Sequence, residues 1–189
     1  MTLFDHFGLL APIYDRVIQA PAAERLRLLA SLDIDDRLLD VGGGTGRVSE
    51  FLKGFVRTTC VLDVSSGMLR QAAAKSGLVP CRGVAEALPF ADGAFTKMVA
   101  VDTFHHFGDQ VAAAGEMLRV LAPGGCLVVE EPDIRRFPVK LVAVAERVAL
   151  MRSHFHPPAV LVGLFSLPTT RVRVFEEAPN FWVVVNKLG

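Results

Sequence analysis

The sequence predicts an α/β fold in which helices cover both faces of a mostly parallel β-sheet. Short apolar segments alternate along the chain with longer amphipathic segments, a pattern typical of strand–helix–strand units. Hydrophobic residues make up 51% of the composition, which suits buried strands that are apolar on both faces. A length of 189 residues is enough for one domain with a sizeable core.

Four strands are predicted in the N-terminal half, at RLLDV, TTCVLDV, LVPCRGVA and AFTKMVAVD. Before them, FDHFGLLAPIYDRVI predicts one or two short helices, and Pro21 marks the start of the helix PAAERLRLLASL. Between the strands, GRVSEFLKGF and SSGMLRQAAAKSG are predicted helices, the second capped by Ser65 or Ser66 and stopped by Gly77. Pro80 interrupts the third strand, which predicts an edge position for that strand.

The C-terminal half continues the alternation. DQVAAAGEMLRVLAPGG is a predicted helix, closed by its final Pro-Gly-Gly, and CLVVEEP is the fifth strand. A long helix is predicted over VKLVAVAERVALMRSHF, and Pro157 and Pro158 are expected to end it. RVRVFEEA and FWVVVNKL are expected to pair as a closing hairpin. Residues 1–189 are therefore interpreted as a single domain.

The turn after the first strand carries the strongest functional signal. Gly42, Gly44 and Gly46 alternate in LLDVGGGTGR, directly after the strand. Glycines let backbone N–H groups approach a ligand closely because no Cβ intervenes. Asp63 ends the next strand, 21 residues after Gly42, at the spacing where a carboxylate accepts hydrogen bonds from a ribose diol. These features predict a site for an adenosine-containing cofactor.

The glycine spacing favours one cofactor over another. The dinucleotide fingerprint G-x-G-x-x-G requires a third glycine at position 47, but that residue is Arg47 and the glycine falls at Gly46. The run DVGGGTG, which begins at Asp40, instead resembles the first motif of class I S-adenosylmethionine (SAM)-dependent methyltransferases.

Three further segments extend this resemblance in the family's order: VLDVSSGMLRQA, GVAEALPFADGAFTKMVAVDTFHHF and MLRVLAPGGCLVVEEP. From Phe4 to Pro132 the chain resembles the ubiquinone/menaquinone-biosynthesis branch and its relatives that act on small molecules. The resemblance implies a Rossmann-like, seven-stranded, mostly parallel sheet with a C-terminal antiparallel hairpin. It also implies SAM as cofactor and methyl transfer to a small, apolar or aromatic acceptor.

The resemblance further implies which residues bind the cofactor. Gly42 and Gly44 would approach the methionine end of SAM, and Asp40 would order the loop or meet the ammonium group. Asp63 would hold the ribose hydroxyls, and Met68 would lie against the adenine face.

The adenine edge and the end of the fourth strand supply the other implied contacts, from Ala85, Glu86 and Val101. Two residues depart from the family pattern. Val84 stands where the family often has an acid that accepts a hydrogen bond from the adenine amino group. Thr96 stands where the family often has Asp at the start of the fourth strand, a change expected to affect only local structure.

Methyl transfer needs a general base only where the nucleophile must lose a proton. The candidates, in falling order, are His106, His105, Asp102 and Tyr14, and Tyr14 is also expected to close over the methionine carboxylate. Adjacent histidines on one element point in different directions, so a shared metal is not expected. No His, Cys or Asp cluster has the spacing of a zinc site.

The acceptor is expected to lie under residues 1–30 and 133–166. The segments Phe4–Tyr14 and Phe137–Phe165 are rich in Phe, Leu and Val and poor in charge, which favours an apolar or aromatic molecule. Plain core packing is the alternative for both segments, and a membrane-surface helix is the alternative for Val139–Met151. A quinone precursor as acceptor follows from the resemblance alone.

Composition excludes several other classes. Twenty basic and 20 acidic residues give a formal net charge of zero, so no general binding to nucleic acid or anionic membrane is expected. No apolar run reaches the ~18 residues of a membrane span, so stable membrane insertion is not expected. The three cysteines are interpreted as reduced thiols of a cytoplasmic protein without a secretory signal. A homodimer is left open.

A second hypothesis comes from a different functional class. The chain would bind SAM or its product S-adenosylhomocysteine (SAH) without transferring a methyl group, as a sensor or a partner subunit. Val84 and the short substrate cover favour this alternative, and the absence of turnover in a protein that binds SAM would distinguish it.

Overall fold

The computed structural model describes residues 23–141 and 153–189. Seven strands form one sheet in the order β3-β2-β1-β4-β5-β7-β6. The described helices and strands are α1 (Ala23–Ala30), β1 (Arg37–Val41), α2 (Arg47–Leu52), β2 (Thr58–Asp63), α3 (Ser66–Ala73), β3 (Leu78–Arg82), β4 (Phe95–Val101), α4 (Gln110–Val120), β5 (Leu121–Pro132), α5 (Pro158–Phe165), β6 (Thr170–Glu177) and β7 (Asn180–Lys187). Short 3-10 turns cover Lys53–Phe55 and Phe104–His106.

The pairing confirms the predicted fold class. Strands β1 to β5 are mutually parallel, and β7 joins β5 antiparallel before it pairs with β6. Strand β3, which contains Pro80, lies at one edge of the sheet, as its sequence predicts. The carboxyl ends of β1, β2, β4 and β5 lie together at one edge of the sheet, where open α/β sheets bind ligands.

The sheet is buried on both faces. Leu39, Met98 and Val129 belong to the core on the face covered by α4 and α5. Leu38 and Val128 alternate with them and belong to the core on the opposite face, under α1 and α2. Burial on both faces is the physical reason for the high hydrophobic content of the strands.

Three boundaries in the C-terminal half differ from the sequence predictions. Helix α4 ends at Val120 rather than at the Pro-Gly-Gly run, because β5 begins at Leu121, which pairs with Phe95 ahead of a register shift in the strand. Residues 137–141 are helical, but 153–157 are not, so the predicted helix does not continue to Phe155. That segment is held instead by the backbone N–H of His154, which donates to the His105 carbonyl over 2.7 Å.

The prolines after this segment begin a helix instead of ending one. Pro158 is the first residue of α5, where a missing N–H costs nothing because the first helical N–H groups have no partner within the helix. Leu161 and Phe165 are buried in the core. Leu161 and Phe165 of α5, like Leu26 and Ala30 of α1, are thus core residues within the predicted substrate cover, whereas Leu28 and Val160 are exposed.

Candidate functional site

The loop after β1 forms a tight cradle made of glycine backbone. Gly42, Gly44 and Gly46 have φ angles of 71°, 56° and 72°, which L side chains rarely adopt. A Cβ on Gly42 would lie 2.1 Å from Thr103 Oγ1, so the loop packs directly against the end of β4. A Cβ on Gly46 would meet Leu78 at 2.6 Å. The glycines therefore allow close approaches that no other residue permits.

Gly44 is packed less tightly than the other two glycines. The position of a Cβ on Gly44 is 3.9 Å from Met68 Sδ and 4.0 Å from Asp63 Oδ2. The backbone of Gly44, the sulfur of Met68 and the carboxylate of Asp63 thus surround the same opening. Three of the predicted cofactor-binding residues are brought together here.

Asp63 holds this opening in shape. Its Oδ2 accepts a hydrogen bond from the Gly44 N–H at 2.9 Å, and its Oδ1 accepts from the Ser65 N–H at 2.8 Å. Ser65 in turn caps α3 by accepting from the Met68 N–H. The Asp63 side chain remains half-buried, so it is positioned by the backbone and still reaches the opening.

Asp40 lies beneath the loop. It is 1% exposed, its Oδ2 accepts from the Ser49 hydroxyl at 2.7 Å, and a Cβ on Gly43 would lie 2.6 Å from it. Burial raises the pKa of the Asp40 carboxyl to about 6, and the negative charge of Asp63 adds to this rise. The geometry agrees with a role in ordering the loop.

The residues expected along the adenine edge lie on the neighbouring segment. Ala85 is buried, and Val84 is exposed beside Val64 and Arg82 in a shallow cleft of about 140 Å³. Glu86 Oε1 accepts from the N–H groups of Gly108 and Asp109 at 2.7 and 3.2 Å. In this structure the Glu86 carboxylate therefore stabilises the loop before α4 through these two hydrogen bonds.

The end of β4 adjoins the glycine cradle. Val101 is buried, and Asp102 has a φ of 51°, a conformation that residues other than glycine seldom adopt. The backbone N–H of Asp102 donates to the Glu130 carbonyl at 3.0 Å. The strained residue and Thr103 place the following 3-10 turn beside the cofactor cradle.

His105 and His106 lie in that turn and have different surroundings. His105 is buried, its Nδ1 is 2.6 Å from Glu131 Oε2, and its ring stacks on Phe155 with the centroids 4.0 Å apart. His106 Nδ1 lies 3.2 Å from the Ser153 hydroxyl. Tyr14, the remaining candidate for a base, lies outside the described residues.

Glu131 organises this turn, and the sequence analysis did not identify it. Its Oε1 accepts from the N–H groups of Thr103 and Phe104 at 3.1 and 2.8 Å, while its Oε2 contacts His105. Glu130 beside it is fully buried on the other face of the sheet. The two consecutive glutamates at the end of an apolar strand could have indicated a functional role, because burying a charge is costly unless it has a specific partner.

The site fits an adenosine cofactor with a cationic methionine part. It offers a cradle that excludes side chains, an oriented carboxylate at its rim and further carboxylates beneath it. Among residues 23–141 and 153–189, no group of three His, Cys, Asp or Glu side chains is placed to hold a metal ion. Within the same residues, no helix is both long and apolar enough to cross a membrane.

Comparison with known proteins agrees with this geometry. A family model described as "Methyltransferase domain" matches residues 39–129. The demethylmenaquinone methyltransferase of Thermus thermophilus is 37% identical over 142 residues, which are 66% of this chain and 63% of that protein. The demethylmenaquinone methyltransferase of Mycolicibacterium vanbaalenii is 34% identical over 164 residues, 86% of this chain and 67% of that protein. This chain thus spans about two thirds of the length of these relatives.

A solved structure shares the fold. The YcgJ protein of Bacillus subtilis superposes with a TM-score of 0.79 at 16% identity, covering 88% of this chain and 98% of that chain. The glycine cradle, the carboxylate at the end of β2 and the matched relatives lead to one family. The chain belongs to the class I SAM-dependent methyltransferases, in the branch of the demethylmenaquinone and ubiquinone/menaquinone methyltransferases.

Proposed function

We propose that this chain transfers a methyl group from SAM to a small aromatic acceptor that carries a hydroxyl group. The observation that carries the proposal is the direct contact between the glycine cradle and the end of β4, through Gly42 and Thr103. That contact supports a cofactor site beside a second set of polar side chains. The sequence relatives named as demethylmenaquinone methyltransferases favour a reduced quinone ring as the acceptor class.

The residues of the chain perform binding and alignment. Asp63 would accept hydrogen bonds from the ribose hydroxyls of SAM, while Gly42 and Gly44 admit its methionine end. SAM supplies a methyl group already activated by its positive sulfur, so the protein mainly aligns donor and acceptor and excludes water. The turn held by Glu131 carries His105 and His106 at the side of the cradle where an acceptor would enter.

The substrate cover is proposed to come from the parts of residues 1–30 and 133–166 that are not core. Helices α1 and α5 bury Leu26, Leu161 and Phe165, which leaves the stretches before α1 and between β5 and α5 for this role. Three described residues of the second stretch contact the candidate bases: the Ser153 hydroxyl and the His154 N–H reach His106 and His105, and Phe155 stacks on the His105 ring.

Partners and location follow from the same features. We propose a small-molecule acceptor without nucleic acid, in keeping with a net charge of zero. Free thiols at Cys60, Cys81 and Cys126 favour a cytoplasmic protein. A homodimer stays a hypothesis.

A transfer assay tests the proposal. The protein is incubated with methyl-labelled SAM and 1,4-naphthalenediol under reducing conditions, and labelled naphthalene product is measured by mass spectrometry. We expect labelled product that disappears when SAM is replaced by SAH. The alternative of a non-catalytic SAM- or SAH-binding protein, favoured by the exposed Val84, predicts SAM binding without product from any member of a phenol and quinol panel.

A further inference from the structure

Among the residues that the structure describes, two buried polar groups next to the candidate site have no partner in hydrogen-bond geometry. They are Glu130 Oε2 and the indole Nε1 of Trp182, in side chains that are 0% and 4% exposed. An unpaired buried carboxylate oxygen or indole N–H loses its interaction with water without compensation. Glu130 and Trp182 are paired residues on neighbouring strands, so the two unpaired groups lie next to each other.

The sheet register places the two side chains on the same face. Glu130 pairs with Val101 of β4 on one side and with Trp182 of β7 on the other. The 3-10 turn Phe104–His106 is called the histidine turn. Side chains alternate along a strand, so Glu130 points away from the histidine turn, which Glu131 contacts, and toward the sheet face that also carries Asp40. The pair therefore lies at the carboxyl end of the sheet. Glu130 is two strands and Trp182 three strands from β1, whose end carries the glycine cradle.

One oxygen of the carboxyl group is fixed and the other is left unpaired. The side-chain amide of Asn180 donates to Glu130 Oε1 at 2.7 Å, which orients the carboxyl group. Trp182 is held from outside by Arg25, whose guanidinium lies 4.4 Å from the ring centroid. Other contacts thus hold both side chains in place, while Glu130 Oε2 and the Trp182 N–H stay unpaired.

The surroundings of Glu130 favour the protonated form of its carboxyl group. Burial raises the pKa of the Glu130 carboxyl to about 7, and the negative charge of Asp102 adds to the rise. The Asn180 amide, the positive charge of Arg47 and the indole N–H of Trp182, which lies toward the carboxyl without reaching hydrogen-bond geometry, oppose it. A carboxyl with a pKa near the working pH suits general acid–base chemistry.

We propose that Glu130 and Trp182 form the subsite for the hydroxyl group of the methyl acceptor, with Glu130 as hydrogen-bond acceptor and general base. The inference rests on the proposed function and extends it to a base that lies outside the histidine turn. A hydroxyl group can pair with both atoms at once, because it accepts a hydrogen bond from the Trp182 N–H and donates one to Glu130 Oε2. It also occupies about the same space as the water molecule that such a pair would otherwise need.

The chemical step balances without another reactant. The acceptor O–H bond breaks as its proton passes to Glu130 Oε2, and the electron pair that remains strengthens the nucleophile. The acceptor oxygen forms a bond to the methyl carbon, and the carbon–sulfur bond breaks with its electron pair going to sulfur. Where the ring carbon beside the hydroxyl is the nucleophile instead, that carbon then loses its own proton to solvent as the ring regains aromaticity. SAH leaves as a neutral thioether, and Glu130 then returns its proton to solvent.

A binding experiment tests the subsite independently of turnover. The SAH-bound protein is titrated by calorimetry with 1-naphthol and with 1-methoxynaphthalene, which lacks the hydroxyl proton. We expect 1-naphthol to bind at least tenfold more tightly to the wild-type protein. Glu130→Met, which replaces the carboxyl with an apolar side chain, should bring the two affinities within about twofold, and Trp182→Phe should reduce the preference in part.

The pH dependence of transfer tests the base. In the wild-type protein kcat/KM should rise with pH to a plateau, with a midpoint near pH 7, because Glu130 must be ionised to take the proton. Glu130→Gln should lower kcat/KM about 100-fold and remove this rise. His105 and His106 remain in that variant, so a rise that persists near pH 7 would assign the base to them and overturn the inference. The surface variant Glu176→Gln in the same hairpin controls for effects on β6 and β7.

The possible failures are distinguishable. SAH that does not bind would refute the proposed function itself. SAH binding, with equal affinity for the two naphthalenes or with an unchanged preference in both Glu130→Met and Trp182→Phe, would refute the subsite alone and leave the pair as the site of a structural water. If Glu130→Met does not fold, Trp182→Phe and Glu130→Gln carry the same comparison.

Discussion

The two halves of the site are built in different ways. The cofactor half, at the ends of β1 and β2, is made mostly of backbone. The Gly46 N–H donates to the Gly43 carbonyl within the loop, and Asp63 is held by the Gly44 and Ser65 N–H groups. The acceptor half, at the ends of β4, β5 and β7, is made of side chains that reach across strands. Glu131 contacts a turn 26 to 28 residues earlier in the chain, and Glu130 is held by Asn180, 50 residues later.

This difference in construction suggests a division of labour. A cradle of backbone groups depends little on side-chain identity, which suits a cofactor that does not change. A pocket of side chains from separate strands changes with single substitutions, which suits a variable acceptor. Substitutions in the two halves should therefore affect different measured quantities.

Gly42→Ala should have the largest effect. The added Cβ would lie 2.1 Å from Thr103 Oγ1 at a residue with a φ of 71°, so both overpacking and backbone strain oppose it. We expect the free energy of unfolding to fall by about 3 kcal/mol or more, with loss of SAH binding. Gly115→Ala in α4 is the matched control, because its Cβ meets nothing within 4 Å and should stabilise the helix by about 0.5–1 kcal/mol. Equal thermal stability of the Gly42→Ala and wild-type proteins would contradict the close packing of the two halves.

Asp40→Asn should change how stability depends on pH. The carboxyl pKa is raised to about 6 in the folded chain, so the folded state holds a proton that the unfolded state releases, and wild-type stability falls as pH rises from about 4 to 6. The variant lacks this titration, so its stability relative to wild type should increase by about 2–4 kcal/mol across that range. Denaturant unfolding at several pH values measures the difference, and parallel curves for the two proteins would contradict the buried, protonated carboxyl.

Asp63→Ala should weaken the cofactor without unfolding the chain. A charge-assisted hydrogen bond contributes about 1.5–3 kcal/mol, so SAM and SAH should bind roughly 10- to 150-fold more weakly. The loop also loses the acceptor for the Gly44 N–H, which adds to the loss of affinity. Calorimetry measures the dissociation constants, with circular dichroism as the check on folding. Unchanged affinity in a folded variant would place the cofactor elsewhere.

Glu131→Gln should have the smallest effect on cofactor binding and act on the other half of the site. The amide oxygen can still accept from the backbone of the turn, but its NH₂ group no longer matches the His105 Nδ1–H. We expect a loss of about 1–2 kcal/mol in unfolding free energy and a lower transfer rate. The SAH dissociation constant should stay within about twofold of wild type. A large change in SAH affinity would show that the two halves do not act separately.

The same contrast explains which parts of the structure were predictable. The order of strands and helices, the edge position of β3 and the placement of Gly42, Gly44 and Asp63 follow from short stretches of sequence, because glycine spacing and strand periodicity are local. Glu130, Glu131 and Trp182 were not identified, because their roles depend on which strands become neighbours. Their partners lie tens of residues away, and the β5–β7 register that joins Glu130 to Trp182 has no local signature.

The missed helix α5 has a related cause. A pair of prolines can end one helix or begin the next, and the sequence alone did not show which of these applies to Pro157 and Pro158. Residues 153–157 are held against His105 by tertiary contacts, so the helix had to start afresh at Pro158.

A calorimetric titration of the wild-type protein with SAH and, separately, with NADH is the most direct test of the cofactor site. The glycine spacing, the cradle around Gly44 and the carboxylate of Asp63 predict that SAH binds with one molecule per chain and that NADH does not bind. Binding of NADH without binding of SAH would contradict the account and identify the cradle as a dinucleotide site.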